Sequence, residues 1–281
     1  MPDPTRLLHT LRQAIRKFHE TPGRRGSVVH LADATDVLAA GDLHGNLENF
    51  RRLLGRAELG THPGRHLVLQ ELVHGPNRYP AGGDKSHQLL DLVAALKCQY
   101  PRQVHFLIGN HELAQWTGQW IAKGDADFNE LFRVGVASAY GAASEEIYAA
   151  YLELFAAASL AVRTPNRVFL SHSLPSAKRL ETFDNAALER EATDLQALLP
   201  GSAVHALVWG RDTTAATAAA FLQKVDADLL ITGHIPCAQG FAAPNDRQLI
   251  LDCMAAPACC CLFPADRPLT HQELLNCVAT L

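Results

Sequence analysis

Val104-His-Phe-Leu-Ile-Gly-Asn-His-Glu112 decides how the rest of the chain is read. Val104 to Ile108 is an apolar-rich run with the length and composition of a buried strand. It breaks at Gly109 and delivers Asn110, His111 and Glu112 into the first turn of the next element. In an open α/β sheet, ligands bind in the crevice at the carboxyl ends of the strands, so polar residues there are candidates for chemistry. A second stretch, Val37-Leu-Ala-Ala-Gly-Asp-Leu-His-Gly-Asn46, offers a carboxylate and an imidazole at the same architectural position.

Around these strands the pattern is βαβαβ. Residues 37–40, 66–73 and 104–108 read as strands, with helices over 46–59 and 85–100. That alternation predicts parallel neighbours joined by right-handed crossovers. A strand over 27–31 precedes them, and an amphipathic helix over 5–20, with Leu7, Leu8, Leu11, Ile15 and Phe18 on one side, opens the chain. Its basic face is read as solvated surface. Residues 113–159 are helical and alanine-rich, and their aromatics recur at helical spacing without interleaved basic residues, which marks core or cap rather than a base-stacking platform. Further strands are expected at 160–162, 167–171, 229–232, 248–252 and 258–263. Helices are expected at 186–199, 215–225 and 270–280, the last started by a threonine cap. With no linker, low-complexity tract or repeat, residues 1–281 read as one α/β domain. Residues 1–25 form its N-terminal helical extension and 113–159 a helical insertion.

Composition excludes several classes. A formal charge of −4 and a pI near 6.4 provide no basic field for nucleic acid. No apolar run approaches the ~18 residues of a membrane span, and the N-terminus lacks the apolar core of a signal peptide. The seven cysteines show no zinc-type pairing, and Cys259, Cys260 and Cys261, consecutive on a strand, face alternate sides and cannot converge on one ion. They read as reduced, mostly buried thiols of a cytoplasmic protein.

Five strand ends carry ligand-type residues: Asp42 with His44, Glu71 with His74, Asn110 with His111, His172, and His234. A lone histidine after a strand is more often structural than a ligand; five such points in one chain reverse that reading. A mixed oxygen and imidazole set suits Mn, Fe or Zn rather than Mg or Ca. There are too many donors for one tetrahedral ion, whereas two ions bridged by a carboxylate, ~3.5–4 Å apart, use them economically and suit in-line phosphoryl displacement.

Gly41-Asp-Leu-His-Gly-Asn46, Gly109-Asn-His-Glu112, the strand-end His172 and Gly233-His234 resemble the calcineurin-like metallophosphoesterases. Within them, residues 86–112, 140–175 and 209–234 are similar to the phosphoprotein phosphatase branch, and the resemblance runs over residues 37–263. It implies an α-β-β-α sandwich of two mixed sheets flanked by helices. By the same resemblance Asp42 and His44 bind a first ion, Asn110, His172 and His234 a second, His111 is the general acid, and Arg211 binds phosphate oxygens. The implied reaction is in-line attack of a metal-bound hydroxide on a phosphomonoester, phosphoserine or phosphothreonine in a protein. A dinucleoside polyphosphate or other small phosphoester is the alternative substrate, and a catalytically weak phosphate-binding member the alternative role. Oligomeric state is not legible.

The sequence departs from the family's Gly-Asp-x-x-Asp-Arg-Gly, having Gln70-Glu-Leu-Val-His-Gly-Pro76. Glu71 falls on the bridging aspartate, and its extra methylene demands a shifted backbone or altered metal spacing. His74 replaces the aspartate that orients the catalytic histidine and cannot supply its negative charge; it is left as a neutral acceptor or itself a ligand. The arginine is lost, and Arg78, Lys85 or His74 is expected to restore the phosphate contact.

Overall fold

Asp3 accepts from Thr5 N at 2.9 Å and Pro4 follows, so helix α1 (Pro4–His19) starts where its first N–H groups are capped or absent. The structure, a computed structural model, describes residues 3–80, 82–124, 126–190 and 195–281. Next come β1 (Arg24–Arg25), β2 (Val28–His30), β3 (Asp36–Asp42), α2 (Leu47–Ala57), β4 (Arg65–Gln70), α3 (His87–Gln99), β5 (Val104–Leu107) and α4 (Asn110–Thr117). A small hairpin, β6 (Ala122–Lys123) with β7 (Ala126–Asp127), leads into α5 (Phe128–Tyr140) and α6 (Ser144–Ala157). Beyond them lie β8 (Ala161–Arg163), β9 (Val168–Ser171), α7 (Ala177–Leu180), α8 (Ala203–Trp209), α9 (Ala215–Lys224) and β10 (Leu229–Thr232). The last elements are β11 (Phe241–Ala242), β12 (Gln248–Leu251), β13 (Cys259–Pro264), α10 (His271–Asn276) and β14 (Val278–Thr280).

Two mixed sheets result, with strand orders β1-β2-β8-β9-β10-β12-β11 and β14-β13-β3-β4-β5. The expected parallel core is present: β3 pairs with β4 and β4 with β5, both parallel. Strand alternation sorts side chains between layers. From β3, Val37 and Ala39 join Val168, Leu170, Ile231 and Leu249 between the sheets, while Leu38 and Ala40 face outward to the helix layer. The cysteine run obeys the same rule: Cys259 and Cys261 lie between the sheets and Cys260 lies on the helix side, all as free thiols. On the outer face of the first sheet, Phe221 of α9 meets Phe169 of β9 edge-on at 5.7 Å. On that of the second, α1 packs on α3 and α6, with Leu11 and Phe18 buried. Helix, sheet, sheet, helix is the α-β-β-α sandwich.

Two expected helices differ. Over 186–199 only single 3₁₀ turns form, Asn185–Ala187 and Leu195–Leu198; residues 191–194 lie outside the described residues. The backbone there is engaged across the fold instead: Leu188 O accepts from Ser27 N and Arg190 O from Ser27 Oγ, each at 2.9 Å. The helix expected over 270–280 stops at Asn276, after its Thr270–Glu273 capping box. β-branched Val278 and Thr280 then extend, and β14 pairs with the cysteine run of β13. Among the described residues, no helix is long and apolar enough to cross a membrane.

Candidate metal centre

The carboxyl ends of β3, β4, β5, β9 and β10 meet at one rim. A cavity of about 110 Å³ there is lined by Asp42, His44, Glu71, Asn110, His111, Arg211, His234, Pro236, Asp252 and Met254. His172, fully buried, forms its floor neighbour through Glu71 and Asn110. Reaching this convergence bends the chain sharply: His44, Glu71, His74 and His234 have φ of 42°, 44°, 61° and 68°. Side chains other than glycine, asparagine or aspartate seldom occupy that left-handed region, at a cost on the order of 1–3 kcal/mol each. Its concentration at four strand-end residues marks a site that the surrounding packing over-determines. The turn at Glu71 is held by Leu43 N and His44 N, which both donate to Glu71 O at 2.9 Å.

Glu71 is the centre of the arrangement. Its Oε1 accepts from His111 N at 2.8 Å, at the N-terminus of α4, where the helix dipole favours a carboxylate. Its Oε2 lies 3.1 Å from His172 Nε2 and 3.8 Å from His44 Nε2. The extra methylene is accommodated by the left-handed turn and by Gly109, where a Cβ would sit 2.4 Å from Glu71 Oε1. Two donor groups share this carboxylate, His44–Glu71–His111 and Glu71–His172–His234, with ligand atoms within 4.8 Å of one another in each.

Hydrogen bonds fix how the imidazoles present themselves. His44 Nδ1 donates to Val73 O at 2.8 Å, leaving Nε2 bare toward Glu71. Gln70 Nε2 donates to Ala40 O at 2.9 Å, which turns its Oε1 to accept from His172 Nδ1 at 3.1 Å. His172 Nε2 then faces Asn110 Oδ1 at 3.0 Å and both His234 Nδ1 and Glu71 Oε2 at 3.1 Å. One proton on Nε2 satisfies one of these three acceptors; a cation at their centre satisfies all. Asp42 Oδ2 accepts from His234 N at 2.9 Å, but buried Asp42 Oδ1 has no hydrogen-bond partner. Such an orphan among oxygen and imidazole donors fits a metal, and the donor set without thiolate fits a transition ion.

The electrostatics agree. Burial and the neighbouring Glu71 push Asp42 up to about 7, against the pull of His172. Burial opposes charge on His172, yet Glu71 and Asp42 outweigh it and raise the group to about 9. A site that drags an imidazole that far toward its cation has an excess of negative charge for positive charge to occupy. Burial, then His111, lowers His74 to about 3, and burial lowers His111 to about 4 despite Glu71.

Not every other candidate from the sequence reaches the cavity. Arg211 lines it, with Nη1 3.4 Å from His234 O. Its neighbour Asp212 accepts instead from Ala177 N, Thr214 N and Thr217 Oγ1, each at 3.0 Å. Arg78 is not among the residues lining this cavity: it donates to Gly75 O and pairs with buried Asp84 at 3.4 Å. Lys85 sits over the Tyr79 ring at 5.0 Å. His74, 5% exposed, lies behind His111 rather than in the cavity, its Nδ1 2.9 Å from His111 Nδ1 and its Nε2 2.8 Å from Gln115 Oε1. Residues given no role from sequence also shape the site. Glu112 ties the two motif loops together by accepting from Leu72 N, Val73 N and Gly109 N. Gln70 orients His172, and Asp252 on the rim accepts from Cys237 N and Met254 N. Glu112 stood inside a recognised motif; Gln70 and Asp252 carry no local sequence signal.

Residues 35–238 match the family model described as calcineurin-like phosphoesterase. A probable serine/threonine-protein phosphatase of Encephalitozoon cuniculi is 26% identical over 244 residues, which is 80% of this chain and 48% of that protein. The chain therefore spans about half the length of this curated relative. A protein serine/threonine phosphatase structure from Saccharomyces cerevisiae superposes with a TM-score of 0.67 at 14% identity, covering 100% of this chain and 89% of that one. A cold-active protein-tyrosine phosphatase of a psychrophilic Shewanella gives 0.59 at 15% identity over 92% and 83%. At that identity both likenesses concern the fold. With most of its length matched by the family model, this chain is a member of the calcineurin-like phosphoesterases, hydrolases of phosphoric esters.

Proposed function

We propose that the chain is a dinuclear metal-dependent phosphomonoesterase acting on phosphoserine or phosphothreonine in proteins. The observation that carries this is Glu71, one carboxylate common to two donor groups; in the first, His111 is read as the acid and Asp42, whose buried Oδ1 has no hydrogen-bond partner, as the ligand beside His44. Asp42, His44 and Glu71 would hold one ion, and Glu71, Asn110, His172 and His234 a second, both Mn, Fe or Zn. When bound, such ions supply Lewis acidity and neutralise charge on phosphoryl oxygens. Arg211, on the cavity wall and without competition from Asp212, offers a planar fork to the phosphate. In its doubly protonated form His111 would donate the Nε2 proton to the departing alkoxide and revert to a neutral ring, its Nδ1 staying engaged with His74. Asp252 and Met254 border the opening, and a cavity of about 110 Å³ takes a phosphate group while the rest of the substrate lies across the rim. The serine/threonine preference is supported by the description of the curated relative, since the fold also carries a tyrosine phosphatase.

Removing His111 tests the assignment. His111→Ala is expected to cost about 10²–10⁴-fold in turnover of an alkyl phosphate and much less on nitrophenyl phosphate, whose leaving group departs without a proton. Equal losses on both substrates exclude His111 as the acid. Substantial turnover of a phosphopeptide by manganese-loaded protein disposes of a merely phosphate-binding role. Comparison with diadenosine tetraphosphate separates protein from small-molecule substrates.

A further inference from the structure

His111 and Gln115 stand one helical turn apart on the same face of α4, and His74, from the loop after β4, is hydrogen-bonded to both. The Gln115 amide is oriented from its far side: Nε2 donates to Tyr148 Oη at 2.7 Å and lies 3.4 Å from Asn129 O, so both amide hydrogens have acceptors. That leaves Oε1 facing His74 Nε2 at 2.8 Å, and an amide oxygen only accepts. A neutral imidazole has a single N–H; with that hydrogen on Nε2, His74 turns a bare Nδ1 toward His111. His111 Nδ1, 2.9 Å away, must then be the donor. The Phe128 ring lies against both imidazoles, at 5.6 Å from His74 and 5.8 Å from His111, and Phe132 closes on His74 at 6.0 Å. Gln115 itself is 3% exposed.

We infer that Gln115, anchored by Tyr148, is the positioning residue of the proposed acid: through His74 it keeps the His111 Nδ1 hydrogen in place, so that Nε2 is the nitrogen that takes up a second proton and delivers it to substrate. The chain Tyr148–Gln115–His74–His111 has one direction of donation and carries no formal charge. It thereby does with neutral groups what a carboxylate partner does elsewhere in fixing a tautomer. The inference rests on the phosphatase reading for its catalytic meaning, but the tautomers themselves do not depend on turnover.

The test uses zinc-loaded full chain labelled with ¹⁵N-histidine. Imidazole nitrogen shifts are expected to show His74 protonated on Nε2 and His111 on Nδ1 in the wild type, and His74 losing that preference in Gln115→Leu. On an alkyl phosphate, Gln115→Leu is expected to lower kcat roughly tenfold with KM unchanged, the scale at which partners of active-site imidazoles act. Gln115→Glu, whose carboxylate accepts from the same N–H while Tyr148 turns to donate, should lose less than Gln115→Leu. Tyr148→Phe should move kcat in the same direction as Gln115→Leu by less. In a His74→Asp background, where the carboxylate accepts from His111 directly, Gln115→Leu should no longer matter. Protonation of His74 on Nδ1 in the wild type, or an undiminished Gln115→Leu loss in the His74→Asp background, overturns the inference. A wild type with the stated tautomers that hydrolyses no phosphoester supports the positioning geometry and contradicts the functional reading alone.

Discussion

Glu112 gives a perturbation whose size can be worked from the structure. It is fully buried; Oε1 accepts from Leu72 N at 2.6 Å and Val73 N at 3.0 Å, and Oε2 accepts from Gly109 N at 3.0 Å. Alanine leaves three backbone N–H groups unpaired in the interior, at about 1–3 kcal/mol each. Even with partial relaxation the loss is expected to exceed roughly 3 kcal/mol, a large fraction of a domain's margin. Glutamine behaves differently. Its oxygen still serves Leu72 and Val73, its amide opposes Gly109 N–H, and one donor is lost at about 1–3 kcal/mol. Against that, burial and the adjacent Glu71 push the Glu112 carboxyl up to about 7, so removing its charge relieves a strain of comparable size. Glu112→Gln should therefore lie within about 1 kcal/mol of wild type. Urea unfolding near neutral pH, at constant m-value, measures both variants. A Glu112→Ala loss below about 1 kcal/mol, or equal losses for the two variants, would refute the view that this carboxylate holds the motif loops together.

The same contacts set other expectations. Gln70→Leu removes the acceptor that sets the His172 tautomer and should weaken metal binding about 10–100-fold by calorimetry; unchanged affinity would contradict the assignment of Gln70. Gly233→Ala places a Cβ 2.1 Å from Asp42 Oδ1 and should lower metal content, whereas full retention would show that Asp42 has room to move. His66 and His105 share a buried hydrogen bond of 2.9 Å, and burial lowers both. The folded state keeps them neutral while the unfolded chain protonates near its ordinary value, so stability is full above about pH 6.5 and falls below it. His105, held well below its ordinary value, should alone cost about 0.7 kcal/mol between pH 7 and pH 6, with His66 adding in the same direction, and a flat dependence across that window would rule out their neutral burial. Burial raises the thiols of Cys98, Cys237 and Cys277 as it does those of Cys253, Cys260 and Cys261, but only the first three are partly exposed, so a thiol reagent should modify native protein there far faster; equal rates at all six would contradict the packing of β13.

How far the sequence reveals this site depends on whether an interaction leaves a local pattern. Asp42, His44, Asn110 and His111 were legible because each lies at the end of an apolar strand, and the fold brings strand ends to a common rim. The cysteine run was legible because alternation on β13 requires opposite faces. Gln70 and Gln115 were not, since each acts through one contact with a residue distant in sequence: 102 positions separate Gln70 from His172, and 41 separate His74 from Gln115. Nor is the pairing of Arg78 with buried Asp84, six positions on in the same loop, marked by any local pattern. The helix expected over 186–199 failed because Ser27 takes the carbonyls of Leu188 and Arg190. At the C-terminus the threonine cap was read correctly, but the unpaired edge of β13 captured Val278–Thr280 as a strand.

The central claim is that Glu71 is shared by two cations. Metal content per chain, measured after manganese loading and exhaustive dialysis of wild type and Glu71→Ala side by side, tests it most directly. Two ions per wild-type chain and a marked loss in the variant are predicted. Wild-type protein that retains no ion, or a variant that retains as many as wild type, would contradict it.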